Sequence, residues 1–200
     1  PHAAVREYFL LQAKNRSRVQ KFGASAVSTE HERRQVRVLH LIAAYRNRGH
    51  QVAKLDPLGI MEREAVPDLE LSHHGLSPAD LDTVFQTGNL FIGKPEATLR
   101  EIVDCLQGTY CSSVGAEYMH IVNTAEKRWL QQRMEGVRSH PEYGEDVKKH
   151  ILERLSAAEG LEKYLGSKYP GTKRFGLEGG ESLIPLMDEM IQRVGSYGGK

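Results

Sequence analysis

Two cysteines, Cys105 and Cys111, are all that the 200 residues contain, and no CxxC spacing joins them. A disulfide framework and a Cys-based zinc site are therefore excluded as organising features. Two reduced thiols in a cytoplasmic setting are expected. An excess of one charge is missing too, since 27 Lys and Arg stand against 26 Asp and Glu. Bulk charge thus gives no reason to expect a nucleic acid or an anionic membrane as partner. Long apolar runs are absent. The longest, Val38 to Tyr45, has eight residues and includes His40, far short of the roughly 20 needed to span a bilayer. No basic start followed by an apolar stretch marks a secretory signal. Proline- or serine-rich linkers, internal repeats and low-complexity tracts are lacking as well.

What remains is an ordinary globular composition, 40% hydrophobic and 26% charged, at a length that suits one domain or one domain and part of another. The chain starts at Pro1 without a methionine and stops at Lys200, directly after Gly198-Gly199, so it reads as a piece of a longer protein. Apolar spacing predicts a run of helices. Val5, Tyr8, Phe9 and Ala13 suggest one over 3–14. Val38, Leu41, Ile42 and Tyr45 define another over 30–48, with Thr29 and Glu32 as a capping box and Gly49 as a left-handed C-cap. Asp56-Pro57-Leu58-Gly59 is a turn, and 60–76 has no period. Ser77-Pro78 predicts a short helix over 78–86. Leu99, Ile102, Val103, Leu106 and Tyr110 mark 97–110. Asn123 and Glu126 form a capping box before Trp129, Leu130 and Met134. A long helix over 145–165 is weakened by Gly160, and a last one runs over 181–194 with Pro185 in its first turns. Tyr118 to Val122 is the one modest strand candidate. Gly171 to Gly180 is the clearest junction.

Candidate chemistry is thin. Among nine histidines, His73 and His74 are adjacent, and His50, His120, His140 and His150 have no HxxxH or HExxH partner. Surface or hydrogen-bonded histidines are the simpler reading. Lys173-Arg174-Phe175-Gly176-Leu177-Glu178-Gly179-Gly180-Glu181 precedes a helix, whose N-terminus could hold an anion. Neither GxxxxGK[ST] nor GxGxxG is present, however, and a tight turn between two domains explains the glycines equally. Arg46, Arg48, His50 and Lys54 cluster at a helix end, where cations complement the dipole; a solvated or interface face is expected.

Longer strings are more informative. Arg46-Asn47-Arg48-Gly49-His50 with Leu55-Asp56-Pro57-Leu58-Gly59, then Tyr110-Cys111 with Gly115-Ala116-Glu117-Tyr118-Met119-His120-Ile121, resemble blocks of 2-oxoglutarate dehydrogenase E1 components. So do Glu126-Lys127-Arg128-Trp129 with Gln131-Gln132-Arg133, Ala157-Ala158-Glu159-Gly160-Leu161-Glu162, and Lys173 to Gly180. The resemblance covers residues 5–195 in order, and the bacterial type is most similar.

The resemblance implies a mainly α fold. Residues 1–170 would be a helical N-terminal region, and 171–200 the start of the first α/β domain that binds thiamine diphosphate. It implies an oxidoreductase of the tricarboxylic acid cycle that decarboxylates 2-oxoglutarate and transfers succinyl to lipoamide. Thiamine diphosphate supplies the electron sink and Mg²⁺ bridges its diphosphate to protein. It implies a cytoplasmic homodimer in a complex with the E2 succinyltransferase and the E3 dihydrolipoyl dehydrogenase. The family's GMxHRGR histidine and its acidic metal motif match nothing here. No catalytic, cofactor-binding or metal residue is therefore assigned. Lys173, Arg174, Glu178, Gly179 and Glu181 are candidates for an active-site wall or interface, with Arg174 paired to an acidic neighbour. Some animal relatives bind calcium just after LDPLG. The aligned positions here are Gln51, Glu64 and Val66, of which Glu64 alone is a hard oxygen ligand, so no calcium site is expected. Two alternatives stand beside this reading: a non-catalytic helical scaffold, or an E1 for 2-oxoadipate.

Overall fold

A computed structural model describes residues 26–198. The helix expected over 3–14 lies outside them. The described residues are mostly helical, with one two-stranded sheet, and divide into two compact units, one up to Pro141 and one from Glu142.

The first unit is built on α1 (Ala26–Arg48) and α2 (Leu99–Tyr110). Val38, Leu41, Ile42 and Tyr45 of α1 are almost wholly buried, because 3-4-3 spacing places them on one face. They meet Leu99, Ile102, Cys105, Leu106 and Tyr110 of α2 in a single core. Burying each such side chain stabilises by about 1.5–3 kcal/mol. The expected capping box at Thr29 and Glu32 is not there. The helix already runs from Ala26, so Thr29 lies inside it, whereas an N-cap needs non-helical backbone. Glu30 instead pairs with Arg33, Arg34 and Arg37.

Gly49 is also not the left-handed C-cap expected. It opens a 3₁₀ turn, Gly49–Val52, and its φ is not positive. Its use is space: a Cβ there would lie 2.5 Å from the Tyr110 Cβ. The turn at Asp56 is as expected. Its carboxylate accepts from the backbone N–H of Leu58 (2.9 Å) and Met61 (2.6 Å), and Gly59 takes φ +66°, which suits glycine. Residues 60–76 are irregular apart from 3₁₀ turns at Pro67–Leu69 and Ser72–His74.

The helix expected over 78–86 shrinks to one 3₁₀ turn, Pro78–Asp80. Ser77 caps it as read, but Val84–Gln86 becomes β1, paired antiparallel with β2 (Glu96–Thr98). Tertiary pairing overrides the local signal here. Phe85 and Ala97 face each other in register and are buried. Gln35 of α1 closes part of the β1 edge, because its amide donates to the Gln86 carbonyl and accepts from the Gln86 N–H. Thr98 and Glu101 then form a reciprocal capping box at the start of α2. Lys94 beside Glu101 holds that carboxyl down at about 2.

Asn123 caps α3 (Thr124–Glu135) as expected, accepting from Ala125 and Glu126. The strand suggested over 118–122 is absent. Tyr118 is fixed by its buried hydroxyl instead of by a strand partner.

The second unit pairs α4 (Glu145–Lys168) with α5 (Leu183–Ser196). α4 passes unbroken through Gly160, and Pro185 sits in the first turn of α5. His150 and Asp188 tie the two helices at 2.6 Å. No residue of either helix is buried. Leu183, Leu186, Met190, Ile191 and Val194 are each at least 45% exposed, so α5 presents an apolar stripe with no partner among the described residues.

Candidate functional site

The densest polar chemistry lies inside the first unit. Arg46 follows Ile42 by four residues, which keeps it on the buried face of α1. Its guanidinium is 5% exposed and its partner, the Glu135 carboxylate of α3, is fully covered. The pair is bidentate, with Nε donating to Oε1 at 2.7 Å and Nη2 to Oε2 at 3.0 Å. Arg46 also donates to the Asn89 side chain at 2.8 Å and to the Asn89 carbonyl at 3.0 Å. Glu135 accepts from the Phe91 N–H at 2.9 Å and the Tyr110 hydroxyl at 2.6 Å. With the Tyr110 proton committed to that carboxylate, Tyr118 donates to Tyr110 across 2.8 Å. Gln131 bonds to Tyr118 in turn.

Burial, reinforced by the Glu135 charge, pushes the Tyr110 hydroxyl far above its usual range. Burial raises Tyr118 likewise. For Arg46 burial acts downward, and the carboxylate outweighs it. A proton-transfer group would need a value near working pH; these groups move away from it. With its donors and acceptors satisfied internally, the network is a clamp joining α1, the 89–91 loop, α2 and α3.

This corrects the expectation of a solvated or interface basic cluster at Arg46. Arg46 is in the core, while Arg48 pairs with Asp68 at 3.2 Å on the surface, and Lys54 is exposed. The signal was available: Arg46 extends the apolar stripe of α1, and Gln131 and Glu135 stand four apart beside Leu130 and Met134 of α3.

The residues at the calcium-aligned positions do come together. Gln51, Glu64 and Val66 line one shallow hollow with Arg48, Glu62 and Arg63, and Arg63 donates to the Gln51 carbonyl at 3.0 Å. Among the described residues no three His, Cys, Asp or Glu side chains are grouped to hold a metal. His74 bonds to the Asp68 carbonyl at 2.8 Å. Cys105 and Cys111 are free thiols. Burial raises both, Cys111 to about 11, which suits inert thiols.

The loop over 173–181 is largely exposed. Lys173 lies 5.3 Å from the Phe175 ring centroid, and Arg174 lies against Gly166 of α4. Glu178 is exposed. Gly179 takes φ +84° and donates to the Glu181 carboxylate at 3.1 Å. Glu162 of α4, which sequence reasoning missed, accepts from the Leu177 N–H. Glu162 of α4 and Glu181 of the loop thus take backbone donors that an anion would use. No described carboxylate pairs with Arg174.

No family model matches the chain. Among curated proteins, the 2-oxoglutarate dehydrogenase E1 component of Azotobacter vinelandii is 63% identical over all 200 residues, which make up 21% of its length. That of Cupriavidus necator is 48% identical over 99% of this chain and 21% of its own length. That of Brucella anthropi is 44% identical over 86% of this chain and 17% of its own. Over its whole length the chain is thus similar to an N-terminal portion of proteins named 2-oxoglutarate dehydrogenase E1 component. It spans about a fifth of the length of these E1 relatives. The strings that carry the resemblance supply Arg46, Tyr110, Tyr118 and Gln131 of the buried clamp, while Asn89, Phe91 and Glu135 lie outside them. No described helix is long and apolar enough to cross a membrane.

Proposed function

We propose that this chain is the helical support of a 2-oxoglutarate dehydrogenase. In this reading the full-length E1 decarboxylates 2-oxoglutarate and passes succinyl to the lipoamide of E2, in a cytoplasmic complex with E3. Identity of 63% across the whole chain is the observation that carries it. Thiamine diphosphate and Mg²⁺ would be bound by polypeptide outside the described residues, whose donor set offers no metal group. No catalytic step is therefore assigned to a residue here. The hollow at Glu64 stays without calcium in this reading. The full-length enzyme is expected to turn over 2-oxoglutarate with E2 and to prefer it to 2-oxoadipate. Equal or better turnover of 2-oxoadipate would contradict the substrate, and no turnover of either would favour a plain scaffold.

Residues 171–200 are read as the start of the first thiamine-diphosphate domain, with the apolar stripe of α5 as the face that packs into it. Lys173, Arg174, Glu178, Gly179 and Glu181 then form part of an active-site wall or of the homodimer interface. Arg174, unpaired among the described carboxylates, takes an acidic partner there. Arg174→Ala in the full-length enzyme is expected to lower kcat or dimer stability at least about tenfold, the 1.4 kcal/mol range of one charged hydrogen bond. Unchanged activity and an unchanged sedimentation profile would refute this role.

A further inference from the structure

The turn after α1 carries four large apolar side chains in seven residues, and all are exposed: Leu55 53%, Leu58 78%, Ile60 77% and Met61 63%. This is not a frayed loop. Lys54 donates to the Ser112 carbonyl at 2.7 Å, and Leu55 rests 3.1 Å from where a Gly115 Cβ would stand. Asp56 ties the turn with its bonds to Leu58 and Met61. The turn is thus fixed to the first unit, with Leu55 resting on it, while Leu58, Ile60 and Met61 remain largely exposed. A rigid apolar projection of this kind is a liability unless something covers it.

We propose that the Leu55–Met61 turn is a plug that docks into the remaining polypeptide of the same E1 subunit. The inference rests on the reading of the chain as part of an E1. Three points favour that occupant. About four-fifths of the length of the Azotobacter relative lies outside the matched span. Leu55, Leu58, Ile60 and Met61 offer no charge for recognition, as suits a permanent interface more than a transient one. A covalently joined occupant also has the advantage of high effective concentration over a second copy.

The test uses the full-length enzyme with a photoreactive residue, Leu58→benzoylphenylalanine, and with Ala65→benzoylphenylalanine as an exposed control. Irradiation is expected to give cross-links from position 58 to residues beyond this chain's 200 within one subunit, mapped by mass spectrometry, at least tenfold above the control. Cross-linked subunit dimers on a denaturing gel would show that a second copy covers the turn, and would overturn the proposal. Solvent adducts alone would overturn it too. Turnover of 2-oxoglutarate by the same sample separates the two failures: an active enzyme without the intrasubunit cross-link sinks the plug alone.

Discussion

Glu135→Ala lowers the stability of the first unit by about 3–5 kcal/mol, the cost of removing one partner from a buried ion pair. The reason is specific to this site. The change leaves the Arg46 guanidinium 5% exposed with no counter-charge. It also strips acceptors from the Phe91 N–H and the Tyr110 hydroxyl. Arg46→Leu produces a loss of similar size by stranding the carboxylate. The double change, Arg46→Leu with Glu135→Ala, costs less than the two singles summed, because no buried charge is then left unpaired. Denaturant unfolding followed by circular dichroism measures all three. A single Glu135→Ala cost under 1 kcal/mol, or a double change additive in the two singles, would show that the clamp does not hold the unit together.

Gly49→Ala destabilises by about 3 kcal/mol, at the upper end for over-packing. The backbone itself would accept alanine, since Gly49 is not in the positive-φ region. The obstacle is the Tyr110 Cβ at 2.5 Å and the Tyr110 carbonyl at 3.3 Å. Neither can rotate away, so the chain after α1 must move off α2, and the hydroxyl of Tyr110 would be drawn out of line with Glu135. Gly160→Ala should shift stability the other way, by about 0.5–1 kcal/mol, because it lies inside α4 with nothing within 4 Å of the added Cβ. Unfolding midpoints of the two variants should therefore lie on opposite sides of the wild type. A Gly49→Ala midpoint at or above the parent would mean that α1 and α2 are not packed as described.

Much of this architecture was legible in the amino-acid order, and what was missed has physical causes. The period of α1, α2 and α5 is strong enough to show the three helices, and the apolar faces of α1 and α2 are buried as expected, whereas the stripe of α5 stays exposed. Asn123 and Ser77 were found as caps because a polar residue before a helix start has a clear local reason to be there. β1 was not found, since Val84–Gln86 is held by its pairing with Glu96–Thr98 and by Gln35, all distant in sequence. The role of Gly49 was misassigned for the same reason: a glycine required by a neighbour on another helix looks like a glycine required by φ. The sequence places Arg46 on a solvated or interface face because its partner lies 89 residues away. Its position four after Ile42 was the available clue. The loop over 173–181 was found by composition, but not the role of Glu162, whose carboxylate reaches it from α4.

In the proposed function these helices support a thiamine-diphosphate centre and contribute no cofactor ligand to it. Titration calorimetry with thiamine diphosphate and Mg²⁺, on this 200-residue chain and on the full-length enzyme side by side, tests it most directly. Saturable binding by the full-length protein and none by the chain is expected, with circular dichroism used to verify that the chain is helical in the cell. Comparable affinity in the two samples would contradict it.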